Sequence, residues 1–131
     1  MNAPQSAPYQ HLVDGRSVAA STGETLPMID PSTGAVFAHI AAGTADDIDR
    51  AVRAAQAALD GTWGRTPAAE RGRILQKLGR LIEDNVEALA WIEAQDTGKT
   101  ITVARNDIRV TARYFDFYGA AADKLHGQVI P

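Results

Sequence analysis

The sequence predicts an α/β fold in which short strands come first and amphipathic helices follow. Two observations carry this. Between residues 9 and 40 the apolar residues lie in short runs separated by turn signals, the pattern of strands. From Thr44 onward they recur every three or four residues, the pattern of helices. A third observation concerns balance. The helices carry more one-sided apolar surface than three short strands can cover. Either they bury one another as a small bundle, or they sit on a sheet that this chain does not contain.

The elements follow in order. Residues 1–8 read as a loose tail. His11-Leu12-Val13 leads into Asp14-Gly15, the strongest short hairpin signal. Residues 25–29 form a second candidate strand. Asp30-Pro31-Ser32-Thr33-Gly34 is a turn, because proline fixes φ and glycine tolerates positive φ. Residues 35–40 form the third strand. Thr44 with Asp47 resembles a capping box. It opens a helix with Ile48, Ala51, Val52, Ala55 and Leu59 on one face, and Gly61 can end it.

Gly61 and Gly64 flank Trp63 in a turn. Thr66-Pro67 reads as an N-cap with a first-turn proline. The helix it opens is expected to turn Ile74, Leu78, Leu81 and Ile82 inward. Asn85 restarts a helix with Val86, Leu89 and Ala90 inside, and Gly98 stops it. Thr100 begins the longest helix, running to about Lys124, with Ile101, Ala104, Ile108, Ala112, Phe115 and Ala122 as its stripe. Gly127 closes it, and Val129-Ile130-Pro131 reads as the first residues of a strand without a partner.

Composition narrows the chemistry. The 131 residues suit one domain, and 45% of them are hydrophobic, so an ordered core is expected. Thirteen basic and 16 acidic residues give a net charge of −3 with no basic cluster, which argues against a nucleic-acid partner. No cysteine is present, so disulfides, thiolate metal sites and a cysteine nucleophile are excluded from this chain. The residues MNAPQSAPYQ contain no signal-peptide core, no run is long enough to span a bilayer, and a cytoplasmic location is expected.

Each motif has a plain structural explanation. Asp96-Thr97-Gly98-Lys99-Thr100 contains the end of a phosphate-binding loop, but Glu93 stands where its first glycine belongs. A helix C-cap explains Gly98 better. No G-x-G-x-x-G occurs. His11, His39 and His126 lie far apart, without metal-ligand spacing. Ser6, Ser17, Ser21 and Ser32 fall in the tail or in turns, away from any nucleophile elbow. Asp46-Asp47 and Glu83-Asp84 are adjacent pairs near helix ends and suit capping. Tyr114-Phe115-Asp116-Phe117-Tyr118 winds round a helix, so some rings meet the core and others need a second surface.

The order of these landmarks resembles the opening of the aldehyde dehydrogenase superfamily. The series runs Leu12-Val13-Asp14-Gly15, Ile29-Asp30-Pro31-Ser32-Thr33-Gly34, then Ala45-Asp46-Asp47-Ile48-Asp49-Arg50-Ala51-Val52. Trp63, Pro67, Glu70-Arg71 and Ile74-Leu75 follow. Glu93-Ala94-Gln95-Asp96-Thr97-Gly98-Lys99 and Tyr114-Phe115 come next, and Ala122-Asp123-Lys124, Gly127 and Ile130-Pro131 end it.

The resemblance implies the N-terminal strands and four helices of a Rossmann-like nucleotide-binding domain, incomplete without the rest of the enzyme. Residues 9–126 would belong to that domain, and residues 127–131 would begin an oligomerisation-domain hairpin. The complete enzyme would oxidise an aldehyde to a carboxylic acid with NAD or NADP. The family's catalytic cysteine, glutamate and asparagine and its cofactor-binding residues lie in sequence beyond this chain, so no catalytic or cofactor-binding residue is assigned here. The long helix around Tyr114 to Tyr118 is the part expected near substrate. A structural monovalent cation is implied, with the carbonyl of Ile29 and Asp96 as ligands; the alternative for Asp96 is a bond to the adjacent turn. The expected partner is a polypeptide carrying the remaining region, in a homo- or hetero-oligomer. The rival expectation is a non-catalytic interaction or assembly module that kept the family fold.

Overall fold

The structure is a computed structural model that describes residues 7–124 and 127. It falls into two units, Met1–Arg65 and Thr66–Pro131. In the first, the Asp14-Gly15 signal gives a hairpin of β1 (His11–Val13) and β2 (Arg16–Val18), with His11 opposite Val18 and Val13 opposite Arg16. Both loop residues have positive φ, 52° at Asp14 and 70° at Gly15. A two-residue hairpin turn of the primed type needs this, and Asp-Gly supplies it at low cost.

A second antiparallel pair joins β3 (Thr25–Ile29) to β4 (Val36–Ala41), with a bulge between Met28 and Ile29. Asp30 organises the turn between them. Its carboxylate accepts the Ser32 N–H at 2.7 Å, and its carbonyl accepts the Gly34 N–H at 2.8 Å. Tyr9 lies along β4, donating its N–H to the His39 carbonyl and accepting the Ala41 N–H, both at 2.8 Å. Pro27 in β3 is tolerated because a two-stranded sheet is all edge.

Helix α1 (Ala45–Asp60) opens with the full capping box: Thr44 accepts the Asp47 N–H, and Asp47 accepts the Thr44 N–H. Gly61 ends it. The chain recoils at once into the single turn α2 (Thr62–Arg65), where the sequence pattern indicated only a turn. The expected inward face of α1 is not buried. Ile48 and Val52 are 62% and 60% exposed, and Asp47 is the one buried residue of the helix. The short strands give this face no cover.

The second unit holds α3 (Ala68–Asp84), α4 (Val86–Thr97) and α5 (Ile101–Ala121). Here the helices do bury one another. Ala90 on α4 and Ala104 on α5 are fully enclosed, and Val86 and Ala112 nearly so. The stripe expected on α5 is the packed one as far as Phe115, but the helix stops at Ala121 and not near Lys124, leaving Ala122 as its cap. The inward face of α3 differs from expectation. Ile74, Leu78 and Leu81 are exposed, while Gly72 and Gly79 are the buried positions. Glycine lets the backbone of α5 come closer than a leucine ridge would permit.

The caps also shift. Pro67, with extended ψ of 146°, is the N-cap of α3, and its carbonyl accepts the Arg71 N–H at 3.1 Å. The helix therefore starts one residue later than a first-turn proline implies. Asn85 bonds backward, its amide nitrogen donating to the Leu81 carbonyl at 2.8 Å, so its side chain closes α3 and does not open α4. Most of the tail (residues 1–6), His126 and the expected strand start at Val129, Ile130 and Pro131 lie outside the described residues.

Candidate functional site

The phosphate-loop remnant folds as a helix end. Gly98 takes a left-handed φ of 72°, and its N–H donates to the Ala94 carbonyl at 2.9 Å, closing α4. The Lys99 ammonium is held by Glu93 at 2.6 Å and Asp107 at 2.9 Å. These two carboxylates raise its pKa above the ordinary lysine value, Glu93 contributing most. A phosphate-binding lysine needs a free ammonium beside a loop of aimed N–H groups. This residue spends its charge tying the end of α4 to α5, so the residues here do not fit a nucleotide phosphate.

The expected cation ligands sit in different settings. Ile29 ends β3 beside the bulge, in the first unit. Asp96 lies in the last turn of α4, in the second unit, exposed, and its carboxylate makes no hydrogen bond or ion pair among the described residues. The neighbouring turn is satisfied by Thr97, whose hydroxyl donates to the Glu93 carbonyl at 2.6 Å. Among the described residues no three His, Asp or Glu side chains gather as a metal cluster. His11 stands at the start of β1 with its Nε2 enclosed near Gly43 and without a hydrogen bond among the described residues, and His39 lies on β4.

Asp47 forms the densest polar site, and only half of it was legible. Besides the capping box, its carboxylate accepts the Ser21 N–H at 3.2 Å and the Ser21 hydroxyl at 3.1 Å, and it pairs with Arg50. The Thr44 N–H donates to it at 2.9 Å. That backbone bond is the largest reason its pKa lies far below the usual carboxylate range; the Ser21 N–H and Arg50 act the same way, and burial opposes them. Ser21, read as a turn residue, reaches a partner 26 positions away. No local pattern encodes that link. A carboxylate so firmly ionised is a poor proton donor or acceptor near neutral pH, and its role is to anchor the loop before β3 onto α1.

The aromatic run divides as its helical winding requires. Phe115 turns toward α3, where its Cβ lies near Gly79. Tyr114, Phe117 and Tyr118 are exposed, Phe117 by 66%. Their rings contact one another: Phe117 meets Tyr118 edge-on at 5.2 Å, and Tyr114 stacks on Tyr118 at 6.4 Å. The result is an apolar surface with two phenol groups, suited to apolar contact with little charge chemistry. No helix among the described residues is long and apolar enough to cross a membrane.

This set of strands and helices defines a class. Solved structures with the same arrangement include aldehyde dehydrogenases. One is the NAD-dependent aldehyde dehydrogenase of Sinorhizobium meliloti, with a TM-score of 0.89 at 38% identity over 96% of this chain and 26% of that one. Another is the NAD+ complex of the Bacillus cereus aldehyde dehydrogenase, with a TM-score of 0.91 at 36% identity over 98% of this chain and 27% of that one.

The chain belongs to the aldehyde dehydrogenase family, which it matches over residues 18–131. A curated relative, mitochondrial aldehyde dehydrogenase family 2 member B4 of Arabidopsis thaliana, is 44% identical over 93% of this chain and 23% of its own length. The mitochondrial benzaldehyde dehydrogenase of Antirrhinum majus is 42% identical over 98% of this chain and 24% of its own length. The chain thus spans about a quarter of the relatives it matches. The resemblance read from ordered landmarks is correct, and so is the α/β fold.

Proposed function

We propose that this chain supplies the N-terminal part of the nucleotide-binding domain of an NAD(P)-dependent aldehyde dehydrogenase and is not catalytic by itself. The observation that supports this most is the match of nearly its whole length to one quarter of enzymes solved with NAD+. The exposed apolar faces fit the same reading. Ile48 and Val52 on α1 and Phe117 on α5 are surfaces that a larger fold would cover. The nucleophile must come from elsewhere, since this chain has no cysteine. NAD(P) would accept the hydride in the complete enzyme, held by residues outside this segment. Residues 9–126 would form part of that domain, residues 127–131 would open the oligomerisation hairpin, and the assembly would be a cytoplasmic homo- or hetero-oligomer.

Mass analysis of everything that purifies with the chain tests this, followed by mixing with a polypeptide carrying the cysteine-bearing region. Aldehyde oxidation is expected only in the mixture, or in a single longer chain containing both parts. In that enzyme Phe117→Ala should shift KM for the aldehyde more than it shifts stability, if the outer face of α5 lies near substrate. A chain that unfolds cooperatively alone, binds no apolar dye and yields no activity on mixing would instead support an assembly module.

The same reading includes a structural monovalent cation on the Ile29 carbonyl and Asp96, with a third ligand from elsewhere. Both are hard oxygen donors. In the assembled enzyme, Asp96→Asn is expected to abolish the rise in thermal midpoint produced by potassium or sodium chloride relative to a bulky organic cation at equal ionic strength. An equal salt response in both proteins would remove the site.

A further inference from the structure

The chain contains two Asp-Gly steps, Asp14-Gly15 and Asp60-Gly61. The structure treats them in opposite ways. At Asp60-Gly61 every group that matters is engaged. The Asp60 carboxylate accepts the Gln56 amide at 3.1 and 3.2 Å, the Asp60 carbonyl accepts Arg65 at 3.1 Å, and the Gly61 N–H donates to Ala58 at 3.2 Å. At Asp14-Gly15 none is. Among the described residues the Asp14 carboxylate has no hydrogen bond or ion pair, and the Gly15 N–H has no acceptor. Both residues are exposed, and nothing lies within 4 Å of a Cβ built on Gly15.

We propose that Asp14 is a site of spontaneous isoaspartate formation and that Asp60 is protected from it. The Gly15 nitrogen attacks Asp14 Cγ in its neutral acid form. An N–Cγ bond forms, the Cγ–OH bond breaks, and one water leaves with the amide hydrogen, giving a five-membered succinimide. Water then adds back. Attack at Cγ restores aspartate, whereas attack at the main-chain carbonyl breaks that C–N bond and routes the chain through the side chain. Water is the only co-reactant, and no net oxidation occurs.

Closure requires Asp14 to rotate out of its left-handed conformation, so the turn must open first. The hairpin favours this, because strands of three residues in a two-stranded sheet are marginally stable. Once formed, isoaspartate adds a methylene to the backbone of a two-residue turn. That extra atom strains the register that pairs Val13 with Arg16 and His11 with Val18. Asp14 also lines an open surface depression with Ala54, Ala57, Ala58, Gly61, Thr62 and Trp63, so the rerouted turn alters its edge. The modification is therefore local damage that can unpair β1 from β2.

The test is ageing of the protein at neutral pH and 37 °C, then peptide mapping with isoaspartyl methyltransferase labelling. Label at Asp14 is expected to exceed label at Asp60 by roughly tenfold, since a surface turn opens more easily than a bonded helix end. A transient species lighter by one water should map to the same peptide, and Asp14→Ser should remove label from it. Conversion at Asp60 equal to or above that at Asp14 overturns the proposal. So does an unlabelled Asp14 in the folded protein while a peptide of residues 10–19 converts.

Discussion

Gly72→Ala and Gly119→Ala are each expected to destabilise the protein by about 1–3 kcal/mol, although both improve helix propensity. A Cβ on Gly72 would stand 2.3 Å from the Gly119 carbonyl oxygen, and one on Gly119 would stand 2.7 Å from the Gly72 carbonyl oxygen and 2.8 Å from Gln76. Two of these contacts are with backbone atoms, which cannot turn aside as a side chain can. The helices would have to separate, and the small residues that share the α3–α5 interface, Gly79 and Ala112 among them, would lose contact. Propensity acts the other way, worth about 1 kcal/mol for Gly to Ala in a helix. Overpacking at this distance exceeds it.

The series carries its own controls. Gly79→Ala should cost less, since its Cβ would meet the Ala112 oxygen at 2.9 Å. Ala120→Gly, at an exposed position of α5, should cost only the propensity difference of about 1 kcal/mol. Chemical denaturation with each variant in one polypeptide background reads all four. If Gly72→Ala stabilises, the close approach of α3 to α5 is wrong.

These glycines show where the sequence stopped being informative. Apolar periodicity located α3, but it chose the face bearing Ile74, Leu78 and Leu81, because a hydrophobic stripe is the usual mark of a buried side. The packed side is marked by glycines seven residues apart, Gly72 and Gly79, which a hydrophobicity pattern scores as neutral. Their spacing was the available signal. On α5 the partner surface is alanine-rich and also contains Ile101, Ile108 and Phe115, so there the stripe was correct.

Local chemistry was legible wherever a few adjacent residues decide the outcome. Asp14-Gly15, Asp30 to Gly34, Thr44 with Asp47, and Gly98 all do what their types dictate. What needed the third dimension was every link between distant segments: Ser21 to Asp47, Glu87 to Arg105, and Lys99 to Asp107. Family membership was legible from neither kind of signal alone. It came from ordered landmarks, each explicable as a turn or cap, that match one family when taken together.

Asp47→Asn is expected to be the most damaging polar substitution in the chain. The side chain keeps its size, but one carboxylate oxygen becomes an NH2 that faces donors. Asp47 takes N–H groups from Thr44 and Ser21 and a hydroxyl from Ser21, and pairs with Arg50. An amide there leaves donors opposed in a site that is 4% exposed. Thr44→Ala should be milder, near the 1 kcal/mol typical of a lost N-cap. It removes one hydroxyl and leaves the backbone bonds to the carboxylate intact.

The pH dependence separates charge from shape. The folded pKa of Asp47 is depressed, chiefly by the Thr44 N–H, relative to an unfolded value of about 3.9. Its contribution is therefore fully present above about pH 4 and is lost as pH falls through the lower folded value. Between about pH 4 and pH 2 the wild type should lose stability faster than Asp47→Asn, whose side chain does not titrate there. Glu87 and Asp123 are also depressed, by Arg105 and Lys124, and they keep a residual slope in both proteins. The difference between the two unfolding curves isolates Asp47. Parallel curves throughout that range would mean that Asp47 caps α1 by shape alone and that its charge does not hold Ser21 to the helix.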